Sequence, residues 1–197
     1  MEPFSKLVFI ALALGISFIG VPRTPVPTSI YDKEIKEAAA HYLPQWEWDW
    51  YKAQLYQESL LNPNAVSGVG ARGIAQFMPA TWKEVSKDLQ FGERASPHSA
   101  RLAIQAGAYY DFKMRSVWNK ANRSEGEKRS LALASYNTGA GNVLAAQQRC
   151  KQKGYKDCDS WIGISSCLRE VTGPANSKQT IEYVERIALW RLKWKLS

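Results

Sequence analysis

From residue 32 to the C-terminal end, apolar residues recur every three or four positions and never alternate over the length of a strand. Such a chain can bury stripes along helices, but it has no sheet face to bury. Residues 32–43 carry the first stripe, which Pro44 stops. Residues 47–61 carry the second, which ends at Asn62-Pro63 because the residue before a proline avoids the α region. Pro79 opens a third helix, in a first turn where its missing N–H costs nothing. Ser96-Pro97 has the form of a cap followed by a first helical residue, and Ile104, Ala108, Phe112 and Arg115 continue at helical spacing. Residues 127–137 form a further helix with Leu131, Ala132 and Ala134 as apolar positions. Residues 179–195 form the last, with Ile181, Val184, Ile187 and Ala188 toward the core and Trp190 one turn from Trp194. The Gly-, Ser- and Ala-rich stretch 64–73 interrupts this rhythm and leaves a loop or a small irregular strand region around residues 64–76. The expected class is mainly α.

Composition narrows the partners. A length of 197 residues suits one domain, and a hydrophobic content of 45% excludes a disordered or collagen-like chain. Lys and Arg number 26 against 18 Asp and Glu, a net charge of +8. That excess favours an anionic partner (nucleic acid, membrane surface or acidic wall) without choosing among them. Lys6 is followed by 15 uncharged, largely apolar residues, 7–21. This is the pattern of a secretory signal peptide or short membrane anchor, shorter than the roughly 18–20 residues of a comfortable membrane span. Pro22, Pro25 and Pro27 then make residues 21–28 an extended spacer. The expected location is therefore the periplasm or cell envelope, with the N-terminal segment either cleaved or retained at the membrane. In an oxidising compartment two of Cys150, Cys158 and Cys167 can pair and one is left over; the sequence does not say which. A zinc site fits poorly, since there is no CxxC and His41 and His98 lie far from the cysteines.

The groups able to do chemistry are few. HExxH, GxGxxG, a Walker loop and GxSxG are all absent, and two histidines are a thin basis for histidine-based nucleophilic catalysis. A carboxylate remains. Glu58 falls in the last turn of the expected helix 47–61, among Leu55, Tyr56, Leu60 and Leu61. The carbonyl end of a helix and an apolar setting both disfavour an ionised carboxylate, so a protonated Glu58 is suited to general-acid work. Trp48, Trp50, Tyr51 and Tyr56 lie close by in sequence, as sugar-stacking faces or as core.

Several blocks, in order, resemble the soluble lytic transglycosylase family. They are Glu58-Ser59; Asn62-Pro63-Asn64-Ala65-Val66-Ser67; Gly73-Ile74-Ala75-Gln76 with Met78-Pro79-Ala80-Thr81; Ala134-Ser135-Tyr136-Asn137-Thr138-Gly139-Ala140-Gly141-Asn142-Val143; and Gln179-Thr180-Ile181-Glu182-Tyr183-Val184. Ile104, Gly107 and Tyr110 resemble the helix between, and the match spans about residues 47–190. The resemblance implies a lysozyme-like fold with a small irregular β region and a substrate groove. Residues 1–28 would be signal or anchor plus Pro-rich linker, and 29–197 a lytic transglycosylase domain.

By that resemblance Glu58 is the catalytic acid, and Tyr136 the tyrosine whose hydroxyl lies beside it. Ser67, Gln76, Met78, Asn137, Gln179 and Tyr183 take the substrate-binding positions. Gln179 departs from the pattern, standing where the family usually has Glu, and an amide makes weaker contacts than a carboxylate. Residues 150–178 match no block and suggest a polar, disulfide-pinned loop on the groove rim. The implied partner is the glycan strand of peptidoglycan, with an envelope-spanning complex as a further candidate partner and no call for nucleic acid, metal or cofactor. The implied reaction cleaves the β-1,4 bond between N-acetylmuramic acid and N-acetylglucosamine and leaves a 1,6-anhydro end. One glutamate acts first as acid and then as base, where ordinary glycosidases use two carboxylates. A goose-type lysozyme-like hydrolase and a non-catalytic wall-binding structural protein are the alternatives.

Overall fold

A computed structural model describes residues 28–120 and 122–196, and the segment expected to be signal or anchor lies outside them but for Thr28. The described residues fall into two compact units, one comprising Tyr109–Glu185 and the other residues 28–108 with 186–196. Among the described residues no helix is long and apolar enough to cross a membrane.

The second of these units begins with α1 (Asp32–Tyr42) packed on α2 (Trp48–Ser59). Ile35, Ala38 and Ala39 on α1 are buried, while α2 is buried on nearly every side from Tyr51 to Tyr56. A helix enclosed this way shows almost no amphipathic stripe, and its Tyr51 and Tyr56 belong to the core while Trp48 and Trp50 are half-buried. Leu60 and Leu61 take the left-handed conformation, φ 57° and 61°, and turn the chain sharply out of α2. The irregular region follows as two isolated antiparallel bridges, Val66 with Arg72 and Arg72 with Phe77. α3 (Pro79–Asp88) has its proline in the first turn. The cap-like Ser96-Pro97 does not start a helix: Ser96 Oγ accepts from the His98 backbone N–H at 3.2 Å in a turn, and α4 (Ala100–Ser116) begins three residues after the proline.

The other unit takes the C-terminal part of α4, then α5 (Glu125–Thr138) and α6 (Ala140–Gln152), which packs on it. Ser124 caps α5 by accepting from the Glu127 N–H at 3.2 Å. Gly139, at φ 90°, separates α5 from α6. Residues 150–178 are not the expected loop. α6 runs on to Gln152, Cys150 pairs with Cys158 across a short connection, and α7 (Trp161–Leu196) starts at once. Ile164, Cys167 and Leu168 give this stretch a buried face that its serines and glycines obscure. α7 is broken at Gly173, φ 80°, with Pro174 as the first residue of the second half, so the last helix starts earlier than residue 179. Cys167 is the unpaired cysteine, and it is buried.

Candidate active site

Glu58 stands in the last turn of α2 and is only 2% exposed. Its neighbour Ser59 anchors that turn: the hydroxyl donates to the Ile74 carbonyl at 2.8 Å and accepts from the Asn62 N–H at 3.1 Å. The first three motif blocks are thus tied together by one side chain. Tyr51, two turns earlier on the same face of α2, donates its hydroxyl to the Ile104 carbonyl on α4. Gly107 permits this approach, since a Cβ there would lie 2.4 Å from the Tyr51 oxygen.

The loop after α2 is shaped by its own hydrogen bonds. Ser67 Oγ accepts from the Ala71 N–H at 2.9 Å, and the Ser67 N–H donates to the Ala71 carbonyl at 2.9 Å. Gly73 donates to the Ala65 carbonyl at 2.9 Å. Gln76 is buried at φ 48°, and its side-chain amide donates back to the Gly73 carbonyl at 2.9 Å. The His98 ring, at Nδ1, pairs with the Pro63 carbonyl at 3.0 Å and holds the start of the same loop. Met78 is half-buried and leads into α3. Ser67 and Gln76 therefore both serve the loop's geometry, whatever else they contact.

In the other unit, Tyr136 on α5 is 1% exposed and meets Tyr110 edge-on, with ring centroids 5.2 Å apart. Asn137, 3% exposed, has its side-chain Oδ1 2.9 Å from the hydroxyl oxygen of Thr180 on α7. The structure so joins the fourth and fifth motif blocks through Asn137 and Thr180. Gln179 is half-buried and Tyr183 is buried on the same helix. Sequence reasoning gave Ser59 and Thr180 no part. The signal for Thr180 was available: it shares a helical face with Val184 and Ile187, a place where a hydroxyl needs a partner.

The aromatic residues of α2 divide in use. Tyr51 and Tyr56 are buried, and Tyr56 meets Trp190 and Trp194 edge-on at 5.0 and 5.3 Å. Burial pushes the Tyr56 phenol up from its ordinary value. Trp190 donates its indole N–H to the Gln57 side chain at 3.0 Å. Trp48 lies under Lys36 and Lys52, and Trp50 under Arg191. Arg191 reaches Asp49 at 2.7 Å and Glu47 at 2.5 Å, and Lys195 reaches Glu47 at 2.7 Å. The end of α7 is thereby fastened along α2, next to Glu58. Among the described residues no group of three His, Cys, Asp or Glu side chains is placed to hold a metal ion.

A mainly helical chain with one deeply buried glutamate at a helix terminus is the class that fold and site define. The profile of the transglycosylase SLT domain matches residues 36–158, and the chain belongs to that family. It is 30% identical over 169 residues to a membrane-bound lytic murein transglycosylase F of Maricaulis maris, covering 81% of this chain and 35% of that protein. A protein of the same name from Serratia proteamaculans is 30% identical over 191 residues, covering 89% of this chain and 35% of the relative. The chain spans about a third of the length of these curated relatives. Among solved structures, the 70 kDa soluble lytic transglycosylase of Escherichia coli superposes with a TM-score of 0.64 at 20% identity, over 86% of this chain and 25% of that one. An inactive mutant of the lytic transglycosylase Slt from Pseudomonas aeruginosa gives a TM-score of 0.59 at 24% identity, over 84% of this chain and 24% of that one. The fold is accordingly the mainly α fold of these transglycosylase structures, as the resemblance implied, with the irregular β region reduced to two isolated bridges.

Proposed function

We propose that the protein is a peptidoglycan lytic transglycosylase in which Glu58 is the sole acid and base. The observation that carries this is the burial of Glu58, 2% exposed in the last turn of α2, in a chain of the transglycosylase SLT family. A carboxyl withdrawn from water at the carbonyl end of a helix resists ionisation and can keep its proton until a glycosidic oxygen is present. In the proposed reaction Glu58 gives that proton to the oxygen between N-acetylmuramic acid and N-acetylglucosamine as the bond to the anomeric carbon breaks. The carboxylate then takes a proton from the muramoyl 6-hydroxyl, whose oxygen closes on the anomeric carbon. No water is consumed, and Glu58 ends protonated, ready for the next bond. Ser59 holds the turn that carries the acid through its bond to Ile74. Tyr136 is proposed to assist the acid, and Ser67, Gln76, Met78, Asn137, Gln179 and Tyr183 to contact the glycan, by the resemblance of their motifs. The Cys150–Cys158 disulfide supports an oxidising compartment, and with the membrane-bound names of the relatives it supports a place in the envelope. Residues 1–28 are proposed to direct export or to anchor the chain there.

Digestion of purified cell wall followed by mass spectrometry tests the reaction. Anhydro-muramoyl ends are expected; reducing ends would make the protein a hydrolase, and no release would make it a binding protein. Glu58→Gln should melt at the wild-type temperature and lose turnover by about 10²–10⁴, the usual contribution of a positioned proton donor. Undiminished turnover in that variant would overturn the assignment of the acid.

A further inference from the structure

We infer that Thr180 is a positioning residue that fixes which end of the Asn137 side chain meets a ligand, holding the amide nitrogen and leaving the oxygen as an acceptor. The naming of that ligand as a glycan rests on the function proposed above; the orientation does not. Thr180 Oγ1 lies 2.9 Å from one end of the Asn137 carboxamide and 3.0 Å from the backbone carbonyl oxygen of Asn176, one turn earlier on α7. A hydroxyl has one proton to donate, and a carbonyl can only accept. With Asn137 Oδ1 toward Thr180, one proton would face two acceptors, and Asn137 Nδ2 would be buried without a hydrogen-bond partner.

The two ends of a carboxamide are nearly the same size, so exchanging them leaves the packing as it is. With the ends exchanged, Asn137 Nδ2 donates to Thr180 Oγ1 and Thr180 donates to the Asn176 carbonyl. A continuous chain of two bonds then replaces a clash of acceptors. Asn137 is 3% exposed and Thr180 1%, so bulk water cannot stand in for either partner. The end left over is an oxygen, and a buried acceptor lacking a partner is less rare than a buried donor lacking one. It would accept an N–H or O–H from a bound sugar, and an acetamido N–H offers such a donor. Thr180 touches no substrate in this scheme and acts only through Asn137.

The resting orientation is read without any glycan, by the side-chain amide protons of Asn137 in a ¹⁵N NMR spectrum of the whole chain, assigned by their loss in Asn137→Ala. One of the two protons should exchange slowly with solvent, and its protection should persist in Thr180→Ser and vanish in Thr180→Val. Equal, fast exchange of both protons in the wild type, or protection unchanged in Thr180→Val, overturns the orientation. For the ligand, Thr180→Val should raise KM for glycan strands by about tenfold with kcat nearly unchanged, and Thr180→Ser should restore it. An unchanged KM overturns the link from Thr180 to the glycan. A wild-type chain inert toward wall would instead sink the proposed function while the exchange measurement still decides the orientation.

Discussion

Gly73 meets two demands that no other residue satisfies together. Its φ of +77° is a left-handed conformation, and a Cβ placed there would stand 1.8 Å from the Pro97 carbonyl oxygen. Its N–H bonds Ala65, and its carbonyl receives the Gln76 amide. Gly73→Ala therefore has to push residue 97 away or unmake the loop. Backbone strain of about 1–3 kcal/mol and overpacking of about 1–3 kcal/mol act together, so a loss of about 3 kcal/mol or more is expected in a urea titration. An unchanged midpoint would mean that the Pro97 segment yields freely. Side chains with two uses explain how far the site could be read from sequence. The burial of Glu58 was legible from helix position and apolar neighbours, while its proposed role as the acid came through resemblance. Ser67 and Gln76 were read only through resemblance; their hydrogen bonds run to backbone groups three or four residues away, and a polar loop residue carries no periodicity that would single it out. Thr180 was passed over because its partner lies 43 residues away.

At the scale of elements, the end of α7 fastens α2 in two ways. Near Glu47 and Asp49 the fastening is ionic, through Arg191 and Lys195. Near Tyr56 and Gln57 it is aromatic, through Trp190 and Trp194. The hydrogen bond from Lys195 and the charge of Arg191 hold the Glu47 carboxyl below its ordinary value of 4.5, against a smaller opposing effect of burial. A depressed carboxylate stabilises the fold above its unfolded value and ceases to do so as pH falls through its folded one. Wild type should thus lose melting temperature on acidification below about pH 4.5 more steeply than Glu47→Gln does, by calorimetry over a pH series. Parallel curves would show that the ionic half contributes nothing. The Cys150–Cys158 pair, eight residues apart, closes the connection between α6 and α7. Loop-closure entropy assigns a loop of this size about 2.5 kcal/mol, so the Cys150→Ala, Cys158→Ala double variant should unfold at correspondingly lower urea. Both elements around that disulfide escaped the sequence reading for one reason. The buried face of α6 is Ala140, Val143, Ala146 and Cys150, a stripe too small in volume to register as apolar periodicity. The start of α7 likewise hides Ile164, Cys167 and Leu168 among serines and glycines. Where proline marks a boundary, as at the end of α1 and the start of α3, the expected position lies within about one residue of that observed.

For the whole molecule, the helical class followed from period and punctuation, whereas the direction of the positive charge could not. A net charge of +8 survives the pairing of many cations with Glu47, Glu125, Asp159 and Glu170. Each of those carboxylates is shared by two cations, and pairing leaves the net sum unchanged, so the surplus remains to act at longer range on an anionic partner. If that partner is cell wall, its stem-peptide carboxylates are the charges met. Raising salt from about 0.1 M to about 1 M shortens the screening length from about 10 Å to about 3 Å. Cleavage of intact wall should then fall several-fold, while cleavage of glycan strands stripped of their peptides should fall much less. Melting curves across the same salt range separate this from a loss of fold, since the exposed ion pairs at Glu170 are weak at any salt. Equal losses on both substrates would place the effect on the glycan contact itself, and the excess charge would then have no part in finding the wall.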